Sequence, residues 1–197
     1  MNEAPFQWTF AALTAVLLVV RIRWHRRAQI LTPGIENPSE GRVVKVLRPL
    51  VLPLWLGAAV AWFVIPERLG PALLPVPEAL RWFGAVVCAG GLLLLEWVHR
   101  ELGTNFSPFL RIRGDQYLVT TGPYARVRHP MYTAFLLIIG GLALLSAYLW
   151  FVLTAVGILA AVLLTRTPRE DAMLEQHFGD QYRAWKARTG ALLPPLR

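Results

Sequence analysis

Five apolar runs, residues 5–20, 49–65, 79–98, 131–147 and 148–164, constrain this chain more than anything else in it. About 17–25 helical residues cross a hydrocarbon layer, so each run is long enough, or nearly so, to span one. Lipid offers no partner to a backbone N–H or C=O, so the runs must satisfy their own as α-helices. Composition agrees: 55% of the 197 residues are hydrophobic and 16% are charged, where a soluble domain carries about a quarter charged residues. The last two runs are parted only by a tight turn around Ser146 and form a helical hairpin. The expected fold is all-α: a polytopic membrane protein with five transmembrane helices and a C-terminal amphipathic cytoplasmic helix.

The cations set an orientation. Residues 21–48 hold seven Lys and Arg, residues 66–80 one, residues 99–130 five and residues 166–197 six. That alternation puts the N-terminus outside, with the long cationic connections and the C-terminus in the cytoplasm. It also accounts for the net charge of +8 without nucleic acid, which is not expected as a partner. The opening MNEAPFQW has no cation, and RIRWHRR follows the first run. A stop-transfer pattern of this kind predicts a retained span rather than a cleaved signal peptide. Trp8, Trp24, Trp55, Trp62, Trp82, Trp97 and Trp150 sit mostly near run ends, where interfacial aromatics belong. Cys88 is the single cysteine, so no disulfide forms within the chain. Gly84, Ala85, Ala89, Gly90 and Gly91 give the third run a small-residue face suited to close helix packing, within the chain or between chains.

After the fifth run, Met173, Leu174, His177, Phe178, Tyr182 and Trp185 recur at helical spacing among charges. The spacing predicts an amphipathic helix lying on the membrane surface or folded back over the bundle. Nearly all informative polar residues fall in two patches, residues 102–132 and 166–188. The hairpin between them returns to the membrane face it left, which brings the patches together.

Two stretches then need explaining. In GPYARVRHPMYTA, residues 122–134, Gly122-Pro123 breaks the chain and Pro130 suits the first turn of the fourth helix. Arg126 and Arg128 read most simply as cytoplasmic anchors and His129 as a cap. Tyr124, His129 and Tyr132 also place a phenol pair, an imidazole and helix N–H groups at one height, a set that an anionic or zwitterionic ligand would satisfy. In the second stretch, Thr167-Pro168-Arg169-Glu170 is a capping box with Glu170 at its third position. Arg166 and Glu170 share a helix face only if the helix runs through Pro168.

Taken together, LVTTGPYARVRHPMY and RTPREDAMLEQHFGDQYRAW resemble the isoprenylcysteine carboxyl methyltransferase family of integral-membrane, S-adenosylmethionine-dependent enzymes. The likeness covers residues 103–194; the ordered set RHPxY, an acidic pair and FGxxY carries it. It implies that Gln116, Tyr117, Leu118 and Val119 line a cofactor site. It also implies that Tyr124, His129, Pro130, Met131 and Tyr132 hold the amino-acid end and sugar of S-adenosylmethionine, and that Glu170 binds the cofactor from the other patch. Arg166 is then the catalytic and substrate-binding residue, holding the carboxylate to be methylated, with Asn105 and Arg111 in the same enclosure. His129 and Glu170 are expected to grip opposite ends of the cofactor. Three positions depart from the family pattern: Ala134 for glycine, Asp171 for glutamate, and Trp185 for tyrosine.

The residues suit that implied chemistry. A cofactor bearing a sulfonium, an ammonium and a carboxylate needs both signs of charge around it, and Glu170 and His129 with helix N–H groups supply them. A carboxylate acceptor has a pKa near 4 and needs no general base, whereas hydrolysis needs a nucleophile–base pair that is not evident here. The favoured activity is methyl transfer to a lipophilic acceptor reached through the membrane, most simply a prenylated cysteine or similar lipid acid. The alternatives are N-methylation of a phospholipid or other lipid amine, a sterol-type NADPH reductase, and a non-enzymatic membrane protein. No metal is expected. The chain divides into two N-terminal spans, residues 1–78, and a methyltransferase core, residues 79–197.

Overall fold

The computed structural model describes residues 2–31, 53, 55–106 and 116–195. Arg111 and the start of the second apolar run lie outside the described residues. The described residues form seven α-helices: α1 Ala4–Leu31, α2 Trp55–Val64, α3 Glu78–Leu102, α4 Pro130–Ser146, α5 Leu149–Ala161, α6 Thr167–Phe178 and α7 Asp180–Lys186. The chain is all-helical among the described residues, as the apolar runs require. Three helical stretches, Ala4–Ala28, Glu78–Asn105 and Leu149–Phe178, are long and apolar enough to cross a membrane; α2 and α4 are shorter apolar helices. Leu153, Val156 and Leu164 are exposed along the outer face of the last of these, which is what a lipid-facing helix presents.

The bundle is built around α3 and α4. A Cβ on Gly84 would lie 2.7 Å from the Gly141 carbonyl oxygen, and one on Gly91 would lie 2.9 Å from the Ile138 amide nitrogen. A Cβ on Gly141 would meet the Cys88 nitrogen at 2.6 Å. These glycines let two backbones touch. The small-residue face of the third run therefore serves packing within the chain, although Gly90 meets nothing and looks away from α4. Phe10, Trp62, Leu95, Ile138, Leu145 and Phe151 fill the space around this crossing. Trp62 is fully buried against Phe10, Phe63 and Phe151, and Trp24 is buried against His99. Those two tryptophans are core residues, unlike the exposed Trp8, Trp82 and Trp97, because α1 and α2 turn them onto their neighbours.

The hairpin turn is held by a residue to which the apolar pattern gives no role. Ala147 takes the left-handed conformation, φ 51°, and the turn leaves carbonyls pointing out of α4. Arg81, buried at 1% exposure, donates to Leu145 O at 2.9 Å and Ser146 O at 3.2 Å. Its other edge forks onto Glu3 at 2.9 and 2.7 Å, and its guanidinium lies 3.6 Å over the Phe6 ring. One cation thus ties the N-terminus, α3 and the hairpin. The Arg81 hydrogen bond holds the Glu3 carboxyl below its ordinary value of 4.5, against burial that pushes it up. A depressed carboxyl stabilises the fold above its unfolded pKa, and that contribution disappears as the pH falls through the lower folded value. Glu3→Gln is expected to lower the midpoint of thermal inactivation in detergent by about 2–4 °C at neutral pH. The gap from wild type should close as the pH drops from 5 to 3. A gap that stays constant would show that the carboxylate is not what Arg81 holds.

The fifth run does not stop where its apolar residues do. Residues Val162–Arg166 form a π-helical turn joining α5 to α6, so the helix continues through Pro168. The wider turn makes room for the proline ring and the amide it lacks. Thr167 keeps helical dihedrals and its hydroxyl donates to Val162 O at 2.9 Å. There is thus no capping box, because there is no helix start. The break comes at Gly179, φ 54°, after which α7 folds back. Tyr182 and Trp185 then pack with Val98 and Tyr124 at the end of α3. The amphipathic stripe therefore faces the protein rather than a membrane surface.

Candidate functional site

The segment ahead of α4 is pinned by the far end of the chain. Arg128 N–H donates to Gly190 O at 2.8 Å, His129 N–H to Ala191 O at 3.0 Å, and Gly190 N–H returns to Arg126 O at 3.1 Å. The Thr133 hydroxyl adds a bond to Leu192 O at 2.6 Å. The strap formed by residues 189–192 thus fixes the height and direction of RHP. It also takes the His129 amide that the sequence offered to an anion, so that N–H does not face a ligand. The Arg128 side chain is no membrane anchor. Its guanidinium is 13% exposed and donates to Thr189 O and to Lys186 O, with Nε 3.7 Å from Asp171. Arg126 remains exposed.

On this frame α4 and α6 bring their polar residues together. His129 Nε2 lies 2.7 Å from Asp171 Oδ1. A carboxylate only accepts, so Nε2 carries a proton, and Nδ1 is a lone pair whenever the ring is neutral. Asp171 Oδ1 also accepts from the Tyr182 hydroxyl. Burial pushes the Tyr182 phenol well up, and Asp171 adds to the shift, so Tyr182 stays a donor. Asp171, the shorter member of the acidic pair, is thereby the residue that orients His129.

Glu170 serves the open side of the same wall. It accepts from the Tyr132 hydroxyl, and Tyr132 in turn accepts from Arg166 Nε at 2.6 Å. Among the described residues no ion pair joins Arg166 directly to Glu170; the phenol bridges them. The π turn lets Arg166 and Glu170 share this face despite the proline between them. Glu170 Oε2 is 3.9 Å from His129 Nδ1. These two groups are neighbours, so they cannot grip opposite ends of a nucleotide-sized ligand. Two facing acceptors instead make a niche for a cation or an N–H donor.

An open cleft with about 120 Å³ of free volume lies against this wall. Gln116, Tyr117, Leu118, Val119, Tyr124, His129, Met131, Tyr132, Arg166 and Glu170 all line it. Of the described residues expected there only Pro130 is absent, because it is fully buried at the first turn of α4. Asn105 lines it too: its Oδ1 accepts from Tyr117 N–H at 3.3 Å, and its buried Nδ2 has no partner among the described residues. Phe106 supplies an aromatic lining together with Phe178, Trp185, Leu174 and Met173, four residues of the stripe expected on the membrane surface or folded back over the bundle. Trp185 donates to Tyr124 O at 3.0 Å, which fastens α7 over the cleft. Ala134, the third departure, is completely buried in the bundle core.

The phospholipid methyltransferase family matches residues 79–181, which include both polar patches up to Gln181. Protein-S-isoprenylcysteine O-methyltransferase B of Arabidopsis thaliana is 30% identical over 200 residues, covering 98% of this chain and 98% of that protein. A solved structure of a eukaryotic intramembrane Ras methyltransferase, an isoprenylcysteine carboxyl methyltransferase, superposes with a TM-score of 0.67. It is 21% identical, and the match covers 98% of this chain and 69% of that one; at that identity the likeness is one of fold.

Proposed function

The chain belongs to the isoprenylcysteine carboxyl methyltransferase family, and from that premise we propose that it methylates the carboxylate of a prenylated cysteine or similar lipid acid. S-adenosylmethionine would supply an electrophilic methyl group on a sulfonium. The donor set fits that cofactor. Glu170 and the His129 Nδ1 lone pair, 3.9 Å apart, suit its ammonium, with Met131 and Tyr132 beside them. The orphaned Asn105 Nδ2 would gain an acceptor from the ligand, which removes a desolvation cost of about 1–3 kcal/mol. Gln116 to Val119, Phe106, Phe178 and Trp185 would enclose the base and sugar.

The observation that carries the reading is the Arg166–Tyr132–Glu170 chain. Its guanidinium sits where the apolar part of the long helix ends, at the edge of the wall we assign to the cofactor. Arg166 keeps its Nη edge for a planar two-oxygen acceptor, since Nε is committed to Tyr132. A carboxylate held there is already ionised and needs orientation rather than deprotonation. An amine acceptor fits less well, because Arg166 repels an ammonium. A nicotinamide reductase would need a cation for a 2′-phosphate; Arg128 is committed to carbonyls and Asp171, and this reading commits Arg166 to the acceptor. The charge alternation along the chain supports five spans with the N-terminus outside and the cleft cytoplasmic. The family match over residues 79–181 supports a core at 79–197 behind a two-span segment, 1–78.

The test has two arms. Calorimetric titration of the detergent-purified protein with S-adenosylhomocysteine and with NADPH should show binding of the first alone. Radiolabelled methyl transfer to N-acetyl-S-farnesylcysteine should give a product that releases labelled methanol in alkali, as an ester does. Alkali-stable label in phosphatidylethanolamine would instead make the acceptor an amine, and NADPH binding without the homocysteine compound would overturn the reading altogether.

A further inference from the structure

A second cluster of charge lies between α1 and α3. Glu96 Oε1 accepts from Arg100 Nε at 2.8 Å, and Oε2 accepts from Trp24 Nε1 at 3.0 Å and from Arg23 Nη2. The Arg23 and Arg27 guanidinium carbons sit 5.4 and 5.2 Å from the centre of the Trp24 ring. Three guanidinium groups thus converge on one groove between α1 and α3, with a single carboxylate and one indole at its base. Both Glu96 oxygens are occupied, so that carboxylate aims the arginines but neutralises only one of them. Each guanidinium has five N–H donors, while Arg23 and Arg100 each spend one on Glu96 and stay 57% and 71% exposed.

What leads up to the groove gives its occupant a shape. On α1, Val16 and Val19 continue the line of Arg23 and Arg27 at three- and four-residue steps, and both are exposed. On α3, Val86, Leu93 and Trp97 lead to Arg100 in the same way and are likewise exposed. Gly90 belongs to that line and has nothing within 4 Å of a Cβ position. Two apolar tracks, one per helix, therefore rise to a cation cluster at the level where the hydrocarbon-facing surface ends. That pattern matches two acyl chains beneath a phosphate.

We propose that the α1–α3 groove binds the phosphate headgroup of an anionic phospholipid, its acyl chains lying along the exposed stripes below. The site is separate from the cleft but touches its wall. Trp24 stacks on His99 with centroids 5.3 Å apart, and His99 meets Phe106 edge-on at 4.6 Å. Phe106 lines the cleft, so an occupied groove braces one side of it.

The proposal is tested with the full chain in nanodiscs of dioleoylphosphatidylcholine doped with dioleoylphosphatidylglycerol, by native mass spectrometry of retained lipid. Wild type should retain the phosphatidylglycerol preferentially, and the triple variant Arg23→Gln/Arg27→Gln/Arg100→Gln should lose that preference by about ten- to hundred-fold. Millimolar inorganic phosphate should not displace the lipid. Equal retention of both lipids by wild type, or an undiminished preference in the triple variant, would overturn the proposal. Displacement by phosphate alone would reduce the groove to a free-anion site and overturn it equally. Should the triple variant fail to bind S-adenosylhomocysteine and so be misfolded, a photoactivatable phosphatidylglycerol on wild type decides the matter. Label on residues 16–27 and 86–100 supports the groove, and label elsewhere excludes it.

Discussion

Arg166→Ala is expected to lower kcat/KM for a farnesylcysteine acceptor by about 10²–10³-fold, while the dissociation constant for S-adenosylhomocysteine rises no more than about three-fold. The asymmetry follows from the direction of the hydrogen bonds. Arg166 Nε donates to the Tyr132 oxygen, and Tyr132 donates onward to Glu170. Removing the guanidinium leaves the phenol proton on Glu170, so the wall assigned to the cofactor keeps its polarity. What is lost is the cation that would fork onto an acceptor carboxylate. Arg166→Lys separates charge from shape: it keeps the positive charge but lacks both Nε and the planar fork. Its kcat/KM should fall between wild type and the alanine variant, by about ten-fold or more. Rates measured by methyl transfer and affinities by calorimetry check both numbers. If cofactor affinity falls by the same factor as turnover, Arg166 belongs to the cofactor wall and the proposed division of labour is wrong.

How much of this was legible in the sequence depends on whether side chains or backbone did the work. The apolar runs predicted α4 to within a residue and α3 and α5 to within four, because hydrocarbon leaves a backbone no alternative to helix. The meeting of His129 with the acidic pair followed from the hairpin alone. Arg128 looked like an anchor and is a clamp, because its partners are the carbonyls of Lys186 and Thr189. A main-chain acceptor has no residue type to betray it, and the strap at residues 189–192 was unreadable for the same reason. Thr167-Pro168-Arg169-Glu170 misled in the opposite sense: its letters spell a helix start, but a π turn carried the helix through. Local chemistry lost there to the continuity of a rod that already had its hydrogen bonds. Arg81 shows the third kind of failure. A cation at the head of an apolar run reads as a boundary marker, and only the turn carbonyls of Leu145 and Ser146, 64 and 65 residues away, reveal what it holds.

The α3–α4 crossing offers the sharpest test of what holds the site in place, because two adjacent glycines on α4 answer differently. Gly141→Val should prevent recovery of folded protein, and Gly141→Ala should lower the midpoint of thermal inactivation by about 5–10 °C. Gly140→Ala should leave it unchanged or raise it, since alanine is the better helix former by up to about 1 kcal/mol. A Cβ at residue 141 would sit 2.6 Å from both the Cys88 nitrogen and the Gly84 oxygen, and 2.9 Å from the Cys88 Cα. All three are backbone atoms of α3, and no rotamer change can clear them. The helices must part instead. At residue 140 nothing lies within 4 Å. Parting the helices should also reach the site: the first turn of α4 carries Tyr132, and Asn105 follows directly from the end of α3. Gly141→Ala is therefore expected to weaken S-adenosylhomocysteine binding as well as stability, with Gly140→Ala changing neither for the worse. Equal shifts from the two alanines would mean that the close approach of α3 and α4 is not what fixes the cleft.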